Sequence, residues 1–141
     1  MPTARCSRQR ELAGGQGGTL PADAGFDEHA LWQVTALGSR YKAPLLDVSG
    51  EPLRPYEGSY GPDEMLRHIE RFMESNRERP FLVYYPMILP HSPFQATPDD
   101  PAYAASAAGD PSEPEYFASY VSYVDKLVGR IRGAMQGYSG F

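Results

Sequence analysis

One histidine lies in a segment whose backbone is restricted enough to fix the direction of its ring. His91 follows Pro90 directly and precedes Pro93 by two positions. Proline rings fix φ and restrict the preceding residue, so they limit the directions in which the imidazole can point. Such a ring can donate to an anionic ligand, ligate a metal, or act as an acid or base. The alternative is a histidine that only hydrogen-bonds a backbone carbonyl in a stiff loop.

The other reactive side chains lack partners at useful spacing. His29 has acidic neighbours but no repeated metal-ligand spacing, so a solvent-facing polar cluster is predicted. His68 lies at the border of a helical apolar stripe and is predicted to be structural. Asp99 and Asp100 are adjacent, and we predict that they form a turn. Cys6, the single cysteine, has no nearby histidine and excludes an internal disulfide, so we expect no catalytic thiol.

The elements before the His91 loop are a helix and a strand. Pro62 and two carboxylates open a helix over residues 61–77. One apolar stripe at helical spacing predicts its buried face: Met65, Leu66, Ile69, Phe72 and Met73. Residues 81–85 are a continuous aromatic and β-branched run, typical of a strand covered on both faces.

A second helix follows the loop. Ser112 and Glu115 have the spacing of a capping box, which predicts a helix from there to Met135. Its apolar positions form one arc that we expect to face a core: Phe117, Tyr120, Val121, Val124, Leu127, Val128, Ile131 and Met135. Gly129 and Gly133 lie on the flank of this arc and indicate close approach of a neighbouring backbone.

The first half carries weaker patterns. Residues 1–18 are predicted to be an irregular lead-in with no packed element, followed by a partial α/β domain over 19–141. Residues 31–36 could form a short strand, and 45–48 with 51–53 a small hairpin. The predicted fold is α/β, with a buried strand flanked by two amphipathic helices. One buried strand needs sheet partners, so we expect this chain to be part of a larger α/β domain. Ligands of open α/β sheets bind beyond strand carboxyl ends, which makes the loop after residue 85 the candidate site.

Charge and hydropathy exclude several classes of partner. The net charge is -5, and basic residues cluster only at Arg5, Arg8 and Arg10, so nucleic acid is not an expected partner. No run approaches the roughly 18 to 20 apolar residues of a membrane span. The first twelve residues carry arginines without a following apolar region, so no signal peptide is predicted in this chain, and its localisation stays open.

Five blocks of the sequence, in this order and spacing, resemble the middle part of a sulfatase of the arylsulfatase type. The most specific are Pro-His-Ser-Pro-Phe at 90–94, after the strand, and Tyr-Val-Asp-Lys-Leu-Val-Gly at 123–129. The others are residues 25–33, 60–63 and 80–87. Together the blocks cover about residues 19 to 135.

This resemblance implies an alkaline-phosphatase-like α/β fold and hydrolysis of sulfate esters, with a sulfated small molecule or glycan as substrate. The family uses a formylglycine nucleophile, made from the Cys or Ser of a Cys-x-Pro-x-Arg motif, and a bound Ca²⁺ ion. By the matching motif, His91 would be the catalytic and substrate-binding histidine that contacts the sulfate. The family is often periplasmic, secreted or lysosomal.

The departures from the family pattern concern the reacting groups. Cys6 and Arg10 are four apart but lack the motif's proline, and residues 8–12 lack the lysine expected before the block at 25–33. No residue of the chain is assigned as a metal ligand. We therefore expect an internal fragment of a sulfatase-type hydrolase that is inactive as the isolated chain. A phosphatase or phosphonate hydrolase of the same superfamily is one alternative. A non-catalytic interaction module that self-associates through uncovered apolar surface is another.

Overall fold

A computed structural model describes residues 21–32 and 38–137, and the backbone of 4–6. The chain divides into two compact units, Met1–Pro86 and Met87–Phe141, called here the N-terminal and C-terminal units. The strands of the described residues are β1 Ala4–Cys6, β2 Ala30–Trp32, β3 Leu45–Val48, β4 Arg54–Pro55 and β5 Phe81–Val83. The α-helices are α1 Gly61–Ser75 and α2 Phe117–Met135. Neither helix has the length and apolarity that crossing a bilayer requires.

The fold is mixed α/β with a partial sheet, as predicted. An antiparallel sheet has the order β2-β3-β4, and β1 pairs with β5 in parallel, with Ala4 opposite Phe81. The sequence indicated no packed element in residues 1–18, and β1 corrects that expectation. The strand predicted at 31–36 begins one residue earlier, and its part at 33–36 lies outside the described residues.

The hairpin prediction is right for β3 and wrong for its return strand. Residues 51–53 lie in the connection, and the return strand is Arg54–Pro55. Gly50, at a φ of 79°, turns the chain after β3, and the Glu51 amide donates to Val48 O at 3.0 Å. The Glu51 carboxylate then accepts hydrogen bonds from Arg54 and from the Tyr56 hydroxyl. These local bonds keep residues 51–53 in the turn, so the return strand begins only at Arg54.

Helix α1 follows its sequence pattern closely. Pro62 lies in the first turn with Asp63 and Glu64, and all five residues of the predicted stripe are buried. The helix ends two residues earlier than predicted. Asn76 Nδ2 donates to Phe72 O at 2.7 Å, and the Asn76 side chain in turn accepts from Arg79 Nε at 2.7 Å. The asparagine therefore closes the helix by occupying a carbonyl of its last turn.

Strand β5 is covered on one face only, which corrects the prediction of a strand buried on both. Phe81 and Val83 pack against Phe72 of α1, with the Phe72 and Phe81 rings edge to face at 6.0 Å. Leu82 and Tyr84 are each 49% exposed. Successive side chains of a strand point to opposite faces. The residues that the structure describes supply a helix for one face of β5 and leave the Leu82 face open.

The predicted capping box of the second helix is wrong. Ser112 Oγ accepts a hydrogen bond from the Phe94 amide at 2.8 Å instead of capping a helix. Residues Pro114–Tyr116 form a 3₁₀ turn, and α2 begins at Phe117 without a side-chain cap.

The apolar arc of α2 is only partly covered. Tyr120, Tyr123 and Leu127 are buried, while Phe117 and Val121 are nearly half exposed. The predicted close approach at the two glycines is also wrong. A Cβ at Gly129 or Gly133 would meet nothing within 4 Å. Among the described residues, no backbone covers that flank of the helix.

Candidate functional site

The loop that carries His91 is anchored by the residues just before it. Ile88 and Leu89 are buried, and the His91 amide donates to Ile88 O at 3.0 Å. The peptide bonds before Pro90 and Pro93 are both cis. His91 itself is exposed. The loop therefore presents the histidine outward from a packed base.

A hydrogen bond fixes the tautomer of the His91 ring. Its Nδ1 donates to Ser92 O at 2.6 Å. A carbonyl oxygen can only accept, so Nδ1 carries a hydrogen and Nε2 is the nitrogen that gains or loses the second proton. With that proton, Nε2 donates to an anion, and without it, Nε2 accepts or acts as a base. The backbone-carbonyl bond that the sequence predicts as the alternative is present at Nδ1.

The chain after His91 is held by a buried tyrosine of α2. The Tyr120 hydroxyl donates to Pro93 O at 2.8 Å and accepts from the Gln95 amide at 3.0 Å. Tyr120 is fully buried, and the Phe94 ring packs edge to face on Tyr120 and Phe117, with centroids 5.7 and 5.3 Å away. One hydroxyl thus links the two residues that flank Phe94 to the helix.

A second set of bonds joins the same segment to the residues before α2. Phe94 donates its amide to Ser112 Oγ and accepts from the Glu113 amide, both at 2.8 Å. The Gln95 side chain donates to Asp110 O. No sequence pattern marks these positioning residues. The spacing of Tyr120 predicts a core position, and nothing local marks its hydroxyl as the partner of a backbone 25 positions away.

Asp100 forms the turn predicted for it and also joins the loop to α2. Its Oδ2 accepts from the Thr97 amide at 2.7 Å and from Thr97 Oγ1 at 2.8 Å, and its Oδ1 accepts from Ser119 Oγ at 2.8 Å. Burial alone would raise the pKa of Asp100, but the hydrogen bonds outweigh it and hold the pKa below its usual value. Asp99 lies in the same turn, as predicted, and its carboxylate also pairs with Lys126 of α2 at 2.6 Å.

The other two histidines lie in the N-terminal unit. His29 belongs to a polar cluster, as predicted, with Nδ1 2.9 Å from Ser49 Oγ and Nε2 3.4 Å from Asp47 Oδ1. Its side chain is only 22% exposed, so the cluster faces solvent less than expected. His68 is buried on α1. The prediction for the Cys6 thiol lies outside the described residues.

The metal that the resemblance implies does not fit the residues described. Across 21–32 and 38–137, no three His, Cys, Asp or Glu side chains are grouped as ligands for an ion.

Comparison with solved structures shows a partial sulfatase-like fold. No protein-family profile matches the chain, and no curated protein matches it. The chain is similar to the crystal structure of Ps i-CgsB, with a TM-score of 0.69 and 21% identity, over 96% of this chain. It is equally similar, with the same values, to Ps i-CgsB in complex with k-i-k-neocarrahexaose. The chain spans 34% of the length of those structures.

Proposed function

We propose that this chain is part of a sulfatase-type hydrolase acting on sulfate esters, and that His91 contacts the sulfate group. The observation that carries the proposal is the exposed position of His91 in the loop after β5, with its Nδ1 donating to Ser92 O. The similarity to a sulfatase-like fold supports the reaction class. The neighbour's bound carrageenan oligosaccharide supports a sulfated glycan as the substrate class.

The chemistry follows from the two protonation states of Nε2. In the imidazolium form, Nε2 donates a charge-assisted hydrogen bond to a sulfate oxygen. When a water molecule attacks sulfur and takes the sulfuryl group, the same proton can pass to the departing ester oxygen as the sulfur–oxygen bond breaks, which makes His91 the general acid. Because Nδ1 is held by a backbone carbonyl, the ring keeps one orientation through this transfer.

The isolated chain is proposed to bind without turning substrate over. General acid catalysis by one side chain contributes about 10² to 10⁴ in rate, a small part of what sulfate ester hydrolysis requires. The family resemblance implies a formylglycine and Ca²⁺, and the described residues hold no ligand group for the ion. The hydrogen bond and the proton transfer proposed for His91 involve neither the formylglycine nor the Ca²⁺ ion.

Calorimetric titration with a sulfated carrageenan oligosaccharide and its desulfated counterpart tests the proposal. The sulfated form should bind more tightly, and His91→Phe should abolish the difference. The control His29→Gln alters a histidine of the other unit and should retain it. Equal affinity of the wild type for both forms, or an unchanged preference in His91→Phe, would overturn the assignment. We also expect no hydrolysis of an aryl sulfate, and turnover that depends on His91 would show that the chain is an active enzyme.

One observation favours a second candidate, a non-catalytic interaction module. Phe117, Val121 and Val128 lie on the apolar arc of α2, yet each is 42–49% exposed. Such a surface supports self-association. Sedimentation equilibrium tests it: mass should rise with concentration in the wild type and less in Val121→Lys. A monomer at all concentrations would exclude this candidate.

A further inference from the structure

A pocket of the N-terminal unit is lined by charged and polar groups. It has a volume of about 290 Å³ and lies between α1, the turn after β3 and Glu28. Its polar lining comprises Glu28, Ser49, Glu51, His68 and Arg71, with Ser75 at the end of α1. The volume is close to the lower end of the range for small-molecule sites, about 300 Å³. It suits a ligand about the size of one sugar ring.

His68 gives the pocket an unpaired hydrogen-bond donor. The residue is only 8% exposed, and its Nε2 is buried without a hydrogen-bond partner. Arg71 Nη2 lies 3.5 Å from His68 Nδ1, and a guanidinium only donates, so Nδ1 accepts and Nε2 carries the hydrogen. Burial, the largest influence, lowers the pKa of His68, which favours this neutral form at pH 7. A buried donor without an acceptor is costly, and a ligand that supplies an acceptor removes that cost.

The nearest charged group constrains what the ligand can be. Glu28 Oε2 lies 3.8 Å from His68 Nε2, too far for a hydrogen bond but near enough for one ligand atom to reach both. That atom must accept from Nε2 and donate to the carboxylate. A hydroxyl does both, whereas a sulfate or phosphate oxygen only accepts and would face Glu28 with like charge.

The remaining lining supports the same ligand class. The lining carries two carboxylates, Glu28 and Glu51, and the guanidinium of Arg71, and Glu51 is also paired with Arg54 at 3.0 Å. With His68 neutral, the lining has no excess positive charge to attract an anion. Carboxylate and guanidinium groups together offer acceptors and donors to several hydroxyls at once. A neutral polyol therefore matches the pocket better than the anionic group proposed for His91.

We propose that this pocket binds one neutral sugar ring, with a ring hydroxyl that accepts from His68 Nε2 and donates to Glu28. The site is independent of the sulfate contact at His91, so either assignment can fail without the other. A free monosaccharide and a terminal unit of a glycan present the same hydroxyls. The experiment distinguishes these two sources.

NMR titration of the full chain tests this site. D-galactose, D-glucose and D-mannose are added in turn, each as the free sugar and as its methyl glycoside, and sodium sulfate serves as the anion. At least one sugar should shift the His68 imidazole resonances. A response to free sugars alone indicates a monosaccharide, and a response to the glycoside indicates a glycan terminus. No response to any sugar, or a response of His68 to sulfate alone, would overturn the proposal.

Two variants and a control separate binding from folding. His68→Phe removes the donor but keeps an aromatic ring on α1, and should weaken binding about tenfold. Glu28→Ala changes a side chain that is 46% exposed, and should weaken binding severalfold even if His68→Phe does not fold. The control Glu74→Gln, an exposed residue of the same helix, should bind as the wild type does. Wild-type affinity in Glu28→Ala would contradict the proposed hydroxyl bridge.

Discussion

Replacing Tyr120 with phenylalanine tests how the His91 loop is held. The change removes only the hydroxyl that donates to Pro93 O and accepts from the Gln95 amide. A typical hydrogen bond contributes about 0.5 to 1.5 kcal/mol net, and a buried group left unpaired costs about 1 to 3 kcal/mol. Gln95 is buried, so we expect a loss of about 1 to 3 kcal/mol in the C-terminal unit.

Amide hydrogen exchange at Gln95 measures this effect where it arises. A loss of 1.4 kcal/mol corresponds to about tenfold faster exchange if the amide exchanges by local opening. The Glu113 amide, bonded to Phe94 O at 2.8 Å, should accelerate as well, because the same segment loosens. The control Tyr116→Phe removes a hydroxyl just before α2 and should leave Gln95 exchange unchanged. Unchanged exchange of Gln95 in Tyr120→Phe would refute the view that this hydroxyl holds the loop.

Three further predictions concern stability. The pKa of His68 is lower in the folded state than in the unfolded state, so the unfolded state binds the extra proton. The free energy of unfolding should therefore decrease as pH falls below about 6.5. Urea unfolding of His68→Phe at several pH values should lack this decrease. Asp100→Ala should cost about 1 to 3 kcal/mol, measured by urea unfolding at pH 7, because its carboxylate accepts three hydrogen bonds. The folded pKa of Asp100 is lowered, so this stabilisation should be present above about pH 4 and lost below it; a cost independent of pH would contradict the role of its charge. Asn76→Ala should cost about 1 kcal/mol in the same assay by removing the side-chain hydrogen bond to Phe72 O, which then keeps only the bond from the residue 76 amide at 3.2 Å, and a neutral result would show that this amide alone closes α1.

Features set by local periodicity could be predicted from the sequence. The stripe of α1 is buried at all five positions, because an amphipathic helix of this length has one solution for its apolar face. Strand β3 has the predicted bounds, because its turn residues follow it directly. Asp100 forms the predicted turn because its partner Thr97 is three residues away.

Features set by distant partners could not be predicted. Ser112 has capping-box spacing, yet its hydroxyl is occupied by the Phe94 amide, 18 residues earlier. Strand β1 pairs with the distant strand β5, and no pattern in residues 4–6 predicts a strand there. The exposed face of Leu82 and the open flank at Gly129 depend on which elements are near, and periodicity reports only that a face is apolar.

The same division holds for the candidate site. Pro90 and Pro93 marked His91 from the sequence, because their effect on the backbone is local. The bond from Nδ1 to Ser92 O, which orients the ring, needs the folded loop. The pocket at His68 brings together Glu28 and a helix 40 residues later, so sequence spacing indicated only a structural histidine.

The NMR signals of the His91 ring nitrogens, followed during titration with a sulfated carrageenan oligosaccharide, test whether His91 contacts the sulfate. If it does, the Nε2 signal should shift toward the protonated form while Nδ1 keeps its hydrogen, and the desulfated oligosaccharide should leave both signals unchanged. A sulfated ligand that binds the chain without moving the Nε2 signal would contradict this contact, as would equal shifts with the desulfated ligand.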